Sequence, residues 1–211
     1  MTDQTEYHLR EFEVARQPGD KRQIYPDVPV ECQRWLDVGC GGGATIEARN
    51  RSGMLAVGVD PDLSSLQLGR KEGVQAAFIC AGGEQLPFAS GTFDLVSARV
   101  SLPYMNVPVA LHEFARVLRP GGRLWLVLHP LSMVDWSHAL RRVRLLAYEC
   151  YRLGNTVALA WGLPLMAWPA RVRRYESYQT DGGIRRALAR SGFDNIVISR
   201  SQHYVVTCAK R

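Results

Sequence analysis

The 211-residue sequence contains no C-x-x-C pair, and its five cysteines (Cys32, Cys40, Cys80, Cys150 and Cys208) are odd in number and widely scattered. Neither a disulfide framework nor a cysteine zinc site is therefore expected, and a reducing cytoplasm is the expected compartment. His8, His138 and His203 lack metal-ligand spacing, so no metal is expected. The first 20 residues have no apolar core segment and carry Asp3, Glu6, Glu11, Glu13 and Asp20, which argues against a secretory signal. An apolar run at 157–170 is broken by Gly162, Pro164 and Pro169 and falls short of the ~20 residues that a membrane span needs. Internal repeats and low-complexity tracts are also missing.

What is present is the composition of one globular domain over 1–211, with 46% hydrophobic and 22% charged residues. The formal charge of +6 is unevenly placed. Residues 1–120 net −3 and residues 121–211 net +9, with seven arginines and one acid (Glu149) between 136 and 175. A basic footprint spread over the fold is lacking, so the signal for nucleic acid is not strong.

Residues 1–31 suggest a polar helical arm and a turn-rich connector. Beyond them, apolar runs at 35–38, 55–59, 76–80, 93–97 and 124–128 predict strands, with helices at 63–71 and 109–118 between them. A helix at 181–190 and a hairpin of strands at 196–199 and 204–209 close the chain. Alternating strands and helices predict a doubly wound α/β sheet. Residues 131–175 interrupt the rhythm. There Trp136, Leu140, Val143, Ala147 and Cys150 fall on one helical stripe, with Arg141, Arg144 and Arg152 off it, which predicts an amphipathic helix with a basic face.

The strongest chemical signal is Leu36-Asp37-Val38-Gly39-Cys40-Gly41-Gly42-Gly43, a strand running into a glycine loop that opens a helix near Ala44. Glycine lets a ligand lie directly on the peptide groups, and a helix N-terminus favours an anionic group. Asp60, at the end of the next strand, suits a ribose diol. These features indicate an adenosine-type cofactor; Gly39-x-Gly41-x-x-Ala44 alone leaves NAD open.

The sequence resembles the class I S-adenosylmethionine-dependent methyltransferases, especially the small-molecule branch related to quinone and biotin-pathway enzymes. Residues 36–43, Val59-Asp60, 84–88, 93–96 and 113–122 carry the resemblance in the family's order. It implies a Rossmann-like, seven-stranded, mostly parallel sheet with the last strand antiparallel and beside the fifth, and a helical insertion after strand five. By the same resemblance the cofactor is S-adenosylmethionine. Gly39, Cys40 and Gly41 would hold its methionine end, Asp37 would steer its amino group, and Asp60 with Pro61 would hold the ribose. Gly82, Gly83 and Glu84 would border the adenine, and Ala98-Arg99 would run beneath the methionine part. One position departs: Gly82 stands where the family usually has an Asp that accepts from the adenine amino group.

The implied activity is methyl transfer to oxygen or carbon of a small, rather hydrophobic acceptor, with an anionic group on it as one option. Tyr104, in the loop after strand four, and His129, at the end of strand five, are the candidate general bases. Residues 131–175 would cover the acceptor, with Trp136, Tyr148, Tyr151, Trp161 and Trp168 as walls. An anionic membrane surface or an acidic partner could dock on 136–175. RNA methylation, non-catalytic cofactor binding and NAD(P)-linked oxidation are the competing readings.

Overall fold

The computed structural model describes residues 3–17, 19–20, 22–134, 143–168 and 174–211. Its strands are β1 (Arg34–Val38), β2 (Leu55–Asp60), β3 (Ala77–Cys80), β4 (Phe93–Arg99), β5 (Leu118–Leu128), β6 (Phe193–Ser199) and β7 (Tyr204–Lys210). They form one sheet in the order β3-β2-β1-β4-β5-β7-β6. The first five pair in parallel, while β7 runs antiparallel to both β5 and β6. The chain builds outward from β1 to β3, then crosses back to β4 on the other side of β1. That reversal opens a crevice at the carboxyl ends of β1 and β4, where open α/β sheets take ligands.

Helices α1 (Asp3–Arg16), α2 (Ala44–Arg49), α3 (Leu63–Lys71), α4 (Val107–Val117), α5 (Val143–Trp161) and α6 (Asp181–Arg190) complete the described fold. α4 shows why its sequence is helical: Val107, Ala110, Leu111, Phe114 and Val117 recur at three- and four-residue steps and are all buried. They join Leu36, Val96, Leu126, Ile184 and Phe193 in the larger apolar cluster. Phe12, Trp35, Ile46, Leu66, Leu95 and Trp125 form a second cluster. Full burial of each such side chain contributes roughly 1.5–3 kcal/mol.

β5 begins earlier than its apolar run predicts. It takes in Pro120, Gly121 and Gly122, and its pairing with β4 jumps from Phe93–Leu118 to Leu95–Arg123. The proline is accommodated because this jump is a bulge.

The insertion differs more deeply. Ala147 and Cys150, from the stripe expected to be buried, face solvent. The stripe continues with Val157 and Trp161, which are 56% and 75% exposed. α5 instead turns inward Tyr151, Asn155, Thr156 and Leu159. Arg152 is drawn in as well, between Glu149 and Glu176 at 2.9 Å each. The basic face therefore does not hold at Arg152, and Trp161 is not a wall of any interior space. Trp136, His138, Leu140, Arg141, Arg142, Arg171 and Arg173 lie outside the described residues, as does the side chain of Val143.

Candidate functional site

The crevice is built around the loop after β1. Gly39 and Cys40 both donate to the Val59 carbonyl, at 2.7 and 3.1 Å, which bends the chain over the end of β2. Gly39 has φ +71°, and a Cβ there would stand 2.2 Å from the Ser101 Cβ. Only glycine meets both conditions. The Gly41 amide donates to Asp60 Oδ2 at 2.8 Å, and the Asp62 amide donates to Oδ1 at 2.9 Å. Loop and acid thus meet at one point. Each carboxylate oxygen keeps a further lone pair for a ligand hydroxyl. α2 is only six residues long, so the loop amides carry more of the argument than its dipole.

Asp37 lies beneath this loop at 1% exposure. Its Oδ1 accepts from Ser97 Oγ at 2.6 Å, and Ser97 Oγ accepts from Trp35 Nε1 at 2.8 Å. Burial pushes its pKa up to about 6, against the pull of the Ser97 hydroxyl and the Arg99 charge. Asp37 is not a wall of the cavity over the glycines.

That cavity, about 130 Å³, has Gly39–Gly42, Thr45, Asp60 and Arg99 on one side and α1 on the other. Small-molecule sites are typically about 300–1,000 Å³. The shortfall has a visible cause. His8 of α1 sits so close to Gly41 that a Cβ there would be 2.4 Å from its Cε1, and Phe12 packs against Gly42. His8 Nε2 meets Ser65 Oγ at 2.9 Å, Glu11 pairs with Arg99, and Arg99 Nε donates to Thr45 Oγ1 at 3.0 Å. Burial lowers the His8 pKa, opposed by Asp60 and Asp62. No local pattern in residues 3–16 places α1 at the site.

Toward β3, Gly83 is confined, with a Cβ there only 2.7 Å from Met105 Sδ and 2.9 Å from Val38 Cγ1. Gly82 is open, and a Cβ would meet nothing nearer than Glu84 Oε2 at 3.4 Å. The missing Asp at 82 is therefore not imposed by packing. Glu84 Oε1 accepts the Asn106 amide at 3.0 Å, bracing this loop against the start of α4. Pro61 is exposed beside Asp60. Ala98 is fully buried in the core, so only Arg99 of that pair reaches the cavity.

Between Arg99 and Ser101 stands Val100, with φ +62°. A β-branched residue in the left-handed region is strained, and such strain gathers at functional sites. The kink aims Ser101 Oγ at the Val38 carbonyl, to which it donates at 2.6 Å. Three motif segments, 84–88, 93–96 and 113–122, prove to be scaffold. Glu113 accepts the Leu86 amide, and Arg116 donates to the Leu86 and Phe88 carbonyls. Asp94 accepts the Gln33 and Arg34 amides and the Arg119 guanidinium.

Tyr104 and His129 are brought together, edge to face with ring centres 5.3 Å apart. Tyr104 is 51% exposed, whereas His129 is 7% exposed and its Nδ1 is buried with no hydrogen-bond partner among the described residues. Burial lowers the His129 pKa, and the Arg152 charge adds to the effect. Both favour the neutral imidazole, opposed by the Glu176 charge. The segment leading into α6 fixes both residues: Ser177 donates to the Pro103 carbonyl at 3.2 Å, and Gln179 exchanges hydrogen bonds with the His129 backbone. Behind it, Tyr148 bonds Glu176, Tyr178 bonds Glu149 at 2.9 Å, and the Arg152 guanidinium lies 4.1 Å from the Tyr178 ring centre.

Comparison with known proteins adds a family match over part of the chain. Residues 36–126 match the methyltransferase domain family. A demethylmenaquinone methyltransferase of Renibacterium salmoninarum is 38% identical over 96 residues, covering 45% of this chain and 40% of that protein. A ubiquinone biosynthesis O-methyltransferase of Agrobacterium fabrum is 33% identical over 174 residues, covering 80% of this chain and 62% of that protein. The chain thus spans less than two thirds of either relative. A solved S-adenosylmethionine-dependent methyltransferase from Methanosarcina mazei superposes with a TM-score of 0.57 at 18% identity, over 87% of this chain and 94% of that one, which shows the shared fold.

Proposed function

We propose that the chain, whose residues 36–126 match the methyltransferase domain family, is a class I S-adenosylmethionine-dependent enzyme that methylates oxygen or carbon of a small, rather hydrophobic acceptor bearing a hydroxylated ring. The single observation that carries the reading is the 2.8 Å contact of the Gly41 amide with Asp60, which joins an amide-lined loop to an acid suited to a diol at the sheet's switch point. The two relatives, named for menaquinone and ubiquinone methylation, support the acceptor class. The oxidoreductase reading lapses with the family match.

The residues present fit the cofactor. Loop amides and Arg99 suit the amino-acid end, the spare lone pairs of Asp60 suit the ribose, and Gly83 and Glu84 border a place for the base. The space under α1, about 130 Å³, is smaller than the whole nucleoside. When bound, it supplies an electrophilic methyl group on a sulfonium. The protein's part is to align the acceptor, which can contribute up to about 7–11 kcal/mol, and to take its proton. His129, whose burial favours the neutral imidazole, takes that proton, while Tyr104, the more exposed of the pair, holds the acceptor ring. Five unpaired cysteines favour a reducing, cytoplasmic setting.

The test is formation of S-adenosylhomocysteine from S-adenosylmethionine with demethylmenaquinol or an alkylated catechol. Acceptor-dependent turnover is expected. His129→Ala should lower kcat about a hundredfold with cofactor affinity unchanged. An unchanged kcat removes His129 from the role.

A further inference from the structure

α5 is turned inside out. Its inward face holds Arg152, Asn155 and Thr156 in a polar network, whereas its apolar stripe faces solvent. Val157 and Trp161 are 56% and 75% exposed. The segment after α5 folds back along it, with the Met166 methyl 3.8 Å from where a Cβ on Gly154 would stand and the Trp168 ring 5.8 Å from Tyr151. It leaves Leu163, Met166 and Trp168 exposed as well. Exposed apolar side chains gathered on one element and its flank mark an interaction site.

Charge decides what covers it. The sequence has no Asp or Glu between Glu149 and Glu176. Both of those acids are already engaged by Arg152 and by a tyrosine each. Arg144 and Arg174 are exposed, and Arg190 packs so tightly on Gly162 that a Cβ there would be 1.6 Å from its Nη1. The face is therefore apolar with a cationic rim. A second copy related by a two-fold axis would set these arginines against their own images, which like-charge repulsion opposes. Exposed tryptophans beside arginines match the headgroup zone of a bilayer, where an amphipathic ring and a guanidinium are both satisfied. No described helix is long and apolar enough to cross a membrane, so the contact is peripheral.

We infer that the outward face of α5 and residues 163–168 docks on the surface of an anionic lipid bilayer. The inference does not rest on methyl transfer and is read without turnover. In low salt the protein is sedimented with vesicles of phosphatidylcholine alone or mixed equally with phosphatidylglycerol. It should pellet with the anionic vesicles only, and added salt should release it. The double variant Val157→Glu/Trp161→Glu should bind at least about tenfold more weakly, with an unchanged melting curve. A protein left in the supernatant with both vesicles overturns the proposal, as does a double variant that pellets like the parent. A parent dimer that the double variant dissociates overturns it in favour of a second copy. Retention on polyglutamate, abolished by the same substitutions and without vesicle binding, overturns it in favour of an acidic protein.

Discussion

The sheet and the insertion obey the same periodicities and bury opposite things. In α4, beside the sheet, the residues that recur at helical spacing are the ones hidden. In α5 the apolar residues of the stripe are outside, and a network of Arg152, Glu149, Glu176, Tyr148 and Tyr178 lies on the other side. Periodicity says which residues share a face. It does not say which way that face points, because orientation is set by what the rest of the fold offers as a partner.

This contrast predicts unequal responses to truncation. Phe114→Ala should cost about 3–5 kcal/mol in urea unfolding, since it empties space in a packed cluster. Trp161→Ala, on the outward stripe, should stay within about 0.5 kcal/mol. Equal losses would mean that the stripe is buried after all. Arg152→Ala should cost about 2–5 kcal/mol by leaving Glu149 and Glu176 facing each other, whereas replacing all three by neutral residues of similar size should cost far less. A triple variant as unstable as the single one would deny that charge is the reason.

Asp37 offers a smaller, pH-dependent effect within the sheet region. Its folded pKa, about 6, lies above the unfolded carboxylate value. Its contribution is fully present below about pH 4 and is lost as pH rises through about 6, a swing of about 3 kcal/mol. Asp37→Asn should therefore gain on the parent as pH climbs from 4 to 8. A constant difference between the two would contradict the buried, strained carboxylate.

The sheet was legible because parallel strands covered on both faces must be apolar runs, and 124–128 is such a run. Seven strands, with the last one antiparallel and beside the fifth, followed from the resemblance. The glycine loop and Asp60 were legible because backbone geometry confines the choice of residue at Gly39. Three things were not. The ends of β5 depend on a bulge at Pro120 that pairing, rather than composition, decides. α1 reaches the crevice through tertiary contacts of His8, Phe12 and Glu11 that no local pattern encodes. The strain at Val100 arises from the turn after β4, where the sequence shows only an ordinary valine.

Titration calorimetry with S-adenosylmethionine on the parent and on Asp60→Ala tests the cofactor site most directly. The parent should bind one equivalent, and the variant should bind about tenfold to a hundredfold more weakly, the loss of charge-assisted hydrogen bonds to a ribose. No heat from the parent, or the same affinity in both proteins, would contradict the site built from Gly41 and Asp60.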